Sequence, residues 1–410
     1  MGTIILKNQP PTFIKKVYFG RPNPVDKKSL FKKYSQILKN KWLTNDGPFV
    51  QEFERTISEY LNVKHCVAVT NATVGLEILE KSLNLSGEVI VPSMTFIASP
   101  NSLLWQGIKP IFCDVDKNTW NLDPSKIEKL ITPKTTAIMG VHVFGRPCSV
   151  DELKKIADAH NLHLIYDAAH AFGCSRHGVM VGNFGDAEVF SFHATKFFNS
   201  IEGGAIVTND SELFEKLKMI RNFGFSGHDK TEYLGINGKM NEFSAAFGLT
   251  SFEQIDTIIK TNETNYYLYQ KYLSNIPGIK LIEFDPQEKN NYQYIMMEVD
   301  KNITKISRDQ LVKILWSENV IVRRYFYPGC HKLKPYFSSE VNLPITDYLT
   351  GRLIALPTGI ETSKNQIRII SRLIKYCVTN GSKLSKLFRS DIIEELTGNQ
   401  ETIIPEHSQK

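Results

Sequence analysis

The stretch His163-Leu-Ile-Tyr-Asp-Ala-Ala-His-Ala-Phe-Gly173 starts as an apolar run and stops on a carboxylate, Asp167. A short apolar run closed by polar punctuation reads as a strand buried on both faces, the pattern of a parallel sheet. The pattern recurs on either side at Cys66–Thr70, Glu88–Val91, Pro110–Asp114, Thr136–Val141, Glu188–Phe192 and Ala205–Thr208, giving seven strand candidates. Between them Thr73–Leu83, Ile97–Gln106, Pro124–Leu130 and Val150–His160 carry helical spacing, the third opened by Asp123 as N-cap with Pro124 in its first turn. This alternation predicts an α/β fold, a central and mostly parallel seven-stranded sheet with helices on both faces.

After Asn262 the pattern changes. Strand candidates Tyr294–Val299 and Val320–Tyr325 and helices near Arg308–Glu318 and Asn365–Val378 predict a smaller α+β domain. The expected division is an N-terminal segment, 1–41, joining the small domain; a large domain, 42–262; the small domain, 263–380; and a tail, 381–410. In the tail Leu384, Leu387, Phe388, Ile392, Ile393 and Leu396 recur at the spacing of a helix.

Composition narrows the function classes. A chain of 410 residues is longer than the roughly 250–300 at which one core stops growing. With 42% hydrophobic and 22% charged residues it has the make-up of an ordinary globular protein. No apolar run approaches the roughly 18 residues of a membrane span, and residues 1–16 lack the long apolar stretch of a secretory signal. A cytoplasmic protein without membrane contact is expected. The net charge of +6 is spread over scattered lysines, which gives nucleic-acid binding no support. Six cysteines stand far apart with no CxxC pair, so reduced structural thiols are expected, with neither a disulfide framework nor a metal site.

Ligands of open parallel sheets bind outside the carboxyl ends of the strands, so polar residues there carry the functional signal. Thr70-Asn-Ala-Thr73 leads a strand into a helix and offers free N–H groups and a positive dipole end to an anion; a plain N-cap is the bland alternative. Asp167 needs a cationic partner where it is buried, and a protonated pyridine nitrogen, a salt bridge or a cap would each serve. His170 stands one turn on, able to hydrogen-bond a ring hydroxyl or simply to be a satisfied core residue. In Phe190-Ser-Phe-His-Ala-Thr-Lys-Phe-Phe-Asn-Ser-Ile-Glu-Gly-Gly204, Lys196 sits among apolar residues just past a strand, where poor solvation lowers the pKa of an amine. Ser191 is placed to reach a phosphate, and Gly203-Gly204 allows a close backbone turn. Phe96, after another strand, is either core or a ring that stacks on a flat ligand.

Taken together these motifs resemble the DegT/DnrJ/EryC1/StrS sugar aminotransferases, a branch of the fold-type I pyridoxal-phosphate enzymes, from about Val17 to about Tyr376. The resemblance implies pyridoxal 5'-phosphate as cofactor, held as a Schiff base on Lys196 and cycling through pyridoxamine phosphate. It makes Asp167 the partner of the ring nitrogen, His170 the neighbour of the ring hydroxyl and Phe96 the stacking ring. Asn71, Ala72, Thr73 and Ser191 become phosphate ligands, joined across a homodimer interface by Asn237 of Gly235-Ile-Asn-Gly238. On the substrate side it implies Leu43, Thr44, Asn45, His193, Tyr327 and His331. Ala72 stands where many members have glycine, and His170 where many have glutamine.

The implied reaction takes an amino group from L-glutamate to a nucleotide-linked keto-sugar. Ser191-Phe-His193 and Glu202-Gly-Gly204 resemble members acting at C4, which points to dTDP-4-keto-6-deoxyglucose as substrate. Same-fold enzymes acting at C3 or on a keto-cyclitol, and a regulatory protein holding the cofactor without turnover, are the alternatives. Dehydratases of this fold replace the lysine by histidine, and Lys196 is present here.

Overall fold

In the computed structural model, which describes residues 10–338 and 340–387, the first strand, β1 (Val17–Tyr18), precedes two helices, α1 (Lys27–Asn40) and α2 (Pro48–Leu61). The central sheet follows with β2 (His65–Val69), β3 (Glu88–Pro92), β4 (Lys109–Cys113), β5 (Thr135–Val141), β6 (His163–Asp167), β7 (Ala187–Ser191) and β8 (Gly204–Thr208). Its order is β2-β8-β7-β6-β5-β3-β4. All pairings are parallel except those of β8, which runs antiparallel to both neighbours.

Helices cover both faces, so β3 is buried at every residue and is apolar from Val89 to Pro92, with Glu88 at its start paired to Lys109 and Thr132. Those attached to the sheet are α3 (Ala72–Ser82), α4 (Ala98–Trp105), α5 (Val150–His160) and α6 (Ser211–Arg221), followed by α7 (Glu242–Phe252). Side-chain caps start several of them: Asn71 accepts from Val74 N–H, and Asp210 from the N–H groups of Glu212 and Leu213.

A second sheet of three antiparallel strands contains β9 (Ile279–Leu281), β10 (Ile295–Val299) and β12 (Leu353–Leu356). Around it stand α8 (Ile255–Leu273), α9 (Arg308–Ser317), α10 (Pro344–Thr350) and α11 (Lys364–Thr379). Ile367, Ile370, Leu373, Ile374 and Cys377 of α11 form one buried stripe, each large side chain contributing about 1.5–3 kcal/mol by leaving water. The boundary placed at 262 falls inside α8, so one continuous helix joins the two sheets' surroundings. The N-terminal segment also divides. β1 pairs in parallel with β11 (Val320–Ile321), whereas α1 packs on α7 through the Tyr34–Phe243 ring contact.

Three local expectations need correction. Pro124–Leu130 forms two 3₁₀ turns, Pro124–Lys126 and Glu128–Leu130, a geometry suited to short connectors. Of Val320–Tyr325 only Val320–Ile321 is strand, because from Arg323 the chain bends into the site loop. The tail helix covers Gly381–Leu387 (α12), and Phe388, Ile392, Ile393 and Leu396 lie outside the described residues. Among the described residues no helix is long and apolar enough to cross a membrane, and all six cysteines are free and buried.

Candidate active site

Asp167 ends β6 and is 5% exposed. One carboxylate oxygen accepts Ser99 Oγ–H at 2.7 Å and the other accepts Ala169 N–H at 3.0 Å. Both donors are neutral, and among the described residues no ion pair reaches this carboxyl group. Ser99 is itself fixed by Thr95 Oγ1 at 2.8 Å, so the start of α4 aims the aspartate.

Lys196 follows β7 in a turn whose carbonyls are held from outside. Gln293 Nε2 donates to Thr195 O at 2.9 Å, and Asn23 Nδ2 donates to Phe197 O at 2.8 Å. The lysine amine donates to Tyr294 Oη at 3.0 Å. Desolvation lowers its pKa to about 8, against the opposing attraction of Asp167. An amine in that range is substantially neutral near pH 8, as a nucleophile and proton carrier must be. Burial pushes the Tyr294 phenol well above its usual range, so it stays protonated.

His170 is buried against Tyr294, with ring centres 4.2 Å apart, and stacks on Phe144 and Phe326 at 5.8 Å each. Its Nδ1 accepts Phe144 N–H at 3.2 Å. Burial and the Lys196 charge hold its pKa well below the normal value, so the ring is neutral and carries its proton on Nε2. Phe96 presents a bare ring, 54% exposed.

The opposite edge is a backbone cradle. Ser191 and Gly204 are register partners at the ends of β7 and β8. A Cβ added to Gly204 would come within 2.8 Å of Ala72 N and 3.0 Å of the Asn71 carbonyl carbon, so strand and helix start meet only because this residue is glycine. Asn71 caps α3 through Val74 N–H at 2.9 Å, which leaves the Ala72 and Thr73 amides at the helix mouth.

The expected substrate residues are not all brought together. His193 is half-exposed at the rim, bonded through Nδ1 to Thr195 Oγ1 at 2.8 Å and 3.5 Å from Glu202. Tyr327 is 49% exposed. His331 is 3% exposed, with Nδ1 on Ser93 Oγ at 2.6 Å and Nε2 3.3 Å from Asp347 Oδ1. Its ring nitrogens are occupied by protein, so it anchors its loop and offers nothing to an open pocket. Leu43, Thr44 and Asn45 lie in an exposed loop held by Glu242, whose N–H donates to Leu43 O at 3.0 Å and whose carboxylate caps Phe49 and Val50. Asn237 is exposed, and the adjacent Gly238 accepts Thr70 N–H at 2.8 Å beside the cradle. Sequence reasoning missed Tyr294, Ser99, Phe144 and Phe326. The signal for Tyr294 was its place at the head of a predicted strand, and for Ser99 its position one turn after Phe96.

The chain matches the DegT/DnrJ/EryC1/StrS aminotransferase family over residues 24–374. It belongs to that family. A dTDP-4-amino-4,6-dideoxy-D-glucose transaminase of Shigella dysenteriae is 36% identical over 366 residues, 88% of this chain and 99% of its own. A GDP-perosamine synthase of Escherichia coli O157:H7 is 33% identical across 83% of this chain and 93% of its own. The solved structure of DesI in the presence of its TDP-sugar product superposes with a TM-score of 0.90 at 43% identity, covering 92% of this chain and 97% of that one. As a member of the DegT/DnrJ/EryC1/StrS family this chain is a pyridoxal-phosphate-dependent aminotransferase. The site fits that cofactor: Asp167 is buried on neutral hydrogen-bond donors, Lys196 is a desolvated amine, and Gly204 brings the start of α3 against the end of β7 with backbone amides at the helix mouth.

Proposed function

We propose that the chain transfers an amino group from L-glutamate to C4 of dTDP-4-keto-6-deoxyglucose, giving dTDP-4-amino-4,6-dideoxyglucose, in the cytoplasm and as a homodimer with shared sites. The observation that carries this reading is the Lys196 amine, lowered to about 8 by burial and donating to Tyr294, in the turn that follows the Ser191 end of β7. The choice of sugar and of C4 is supported by the Shigella relative's name, by the TDP-sugar product in the DesI structure, and by His193 and Glu202 meeting at the rim. Six free, buried cysteines support a reducing setting.

When bound, pyridoxal phosphate supplies an electron-poor ring that draws electrons from the substrate carbon. Asn71, Ala72, Thr73 and Ser191 would hold its phosphate, with Asn237 of the partner subunit completing the shell. Asp167 would keep the ring nitrogen protonated, with Ser99 fixing the carboxylate. His170 would donate from Nε2 to the ring hydroxyl, and Phe96 would cover one ring face. Lys196 Nζ would anchor the cofactor and, once free, carry a proton between the substrate carbon and the cofactor carbon in each half-reaction. His193 and Tyr327 would shape the sugar side, with Leu43, Thr44 and Asn45 facing the substrate. His331 supports this wall from behind.

Lys196→Ala tests the assignment. Amination is expected to fall by at least about a thousandfold, within the range ascribed to acid–base groups, and borohydride should no longer fix the cofactor to the chain by mass spectrometry. Retained fixation at another lysine, with turnover, would show that the site is elsewhere.

A further inference from the structure

Two arginines crowd the Tyr327 ring. The guanidinium carbons of Arg308 and Arg324 each lie 4.8 Å from its centre. They share one carboxylate: Asp309 accepts Arg308 Nε at 2.6 Å and Arg324 Nη1 at 3.3 Å. The cluster therefore carries surplus positive charge. Arg308 is 2% exposed and points Nη1 at the carbonyls of Thr350 and Leu353, at 2.8 and 3.0 Å. Among the described residues its Nη2 is buried without a hydrogen-bond partner, a costly state for a charged donor. Arg324 is less enclosed, and among the described residues its long bond to Asp309 is its one hydrogen bond from the side chain. Arg323, by contrast, is turned to the Tyr325 hydroxyl at 3.1 Å.

The loop that carries Arg324 and Tyr327 is docked on the site at both ends. Phe326 stacks on His170 at 5.8 Å, and His331 bonds Ser93, three residues before Phe96, at 2.6 Å. A guanidinium fork beside a half-open aromatic ring at this rim is suited to an anionic oxygen group.

We infer that Arg324, backed by Arg308, binds an anionic group of the substrate while Tyr327 walls the same pocket. This rests on the amination reading. Two sources share the chemistry: the carboxylate of the amino donor and the diphosphate of the nucleotide sugar.

The test measures the two half-reactions of the holoenzyme separately, first with L-glutamate alone and then with dTDP-4-keto-6-deoxyglucose added to the amine-loaded enzyme. Arg324→Gln should raise the half-saturating concentration of one substrate at least about tenfold, the loss expected for a charge-assisted bond, with a much smaller change in the maximal rate. A rise confined to glutamate names the carboxylate, and one confined to the sugar names the diphosphate. Unchanged half-saturation for both overturns the inference. Inorganic pyrophosphate and glutarate should also compete with substrate in the wild type, so the inference stays testable should Arg324→Gln fail to fold. Failure of both anions to compete overturns it equally. A wild type inert toward this sugar would count against the amination reading alone, because the glutamate half-reaction and the anion competition still decide the role of Arg324.

Discussion

At the scale of single residues, the chemistry depends on how far Lys196 departs from an ordinary lysine. Its pKa of about 8 compares with roughly 10.4 for a solvated side chain. Capture of added pyridoxal phosphate by the cofactor-free chain should therefore rise with pH and reach half its maximum near 8. A midpoint near 10 would contradict the burial argument. Tyr294→Phe removes the oxygen that accepts the amine's hydrogen, which stabilises the charged form less, so the midpoint should move to lower pH. The same shift has a sign for stability. Between about 8 and 10.4 the unfolded chain binds more protons at this group than the folded chain, so its contribution to stability rises as pH climbs through that window. Asp167 and Lys196 were legible in the sequence because each sits beside its own strand, where local pattern reports burial. Tyr294 was not, since 98 positions separate it from Lys196 and their meeting depends on how the second sheet docks. His331 was legible as a histidine of the site loop, but its burial depends on Ser93 and Asp347, far away in the chain.

At the scale of elements, the site is a meeting of strand ends and helix starts, and Gly204 is where the fit is tightest. Gly204→Ala would press a methyl group to within 2.8 Å of Ala72 N and Phe190 O. It should destabilise the chain by about 1–3 kcal/mol, the usual cost of overpacking, and weaken cofactor binding, read by urea unfolding and by cofactor titration. Gly227→Ala, whose added carbon meets only Lys230 Cβ at 4.0 Å, should change stability by less than about 0.5 kcal/mol. Equal effects of the two would separate the cradle from the close approach. The sheet strands were readable because the middles of strands covered on both faces are apolar, as in Val89–Val91 and Leu164–Tyr166, with polar residues only at their ends. Pro124–Leu130 was misread because seven residues with a good cap look alike whether they close as α or 3₁₀ turns. The direction of β8 was not readable either, since burial leaves the same apolar run whichever way a strand points.

At the scale of the whole molecule, the proposed shared site requires a second copy. Phe223, Phe225, Leu234 and Ile236 are exposed close to Asn237 in the chain, with the Phe223 and Phe225 rings 6.0 Å apart and Phe223 N–H donating to Ile236 O at 3.1 Å, so exposed apolar residues gather beside Asn237. Patches of this kind mark association surfaces. Sedimentation at working concentration should give a two-chain species, and Ile236→Glu should dissociate it with loss of activity, because an unpaired carboxylate is costly in an apolar interface. A fully active monomer would remove the role assigned to Asn237. The central claim, amination at C4, is tested most directly by supplying ¹⁵N-glutamate and dTDP-4-keto-6-deoxyglucose and locating the label in the product by NMR. The account predicts ¹⁵N on C4; ¹⁵N on C3, or an inert 4-ketone beside a reactive 3-keto isomer, would contradict it.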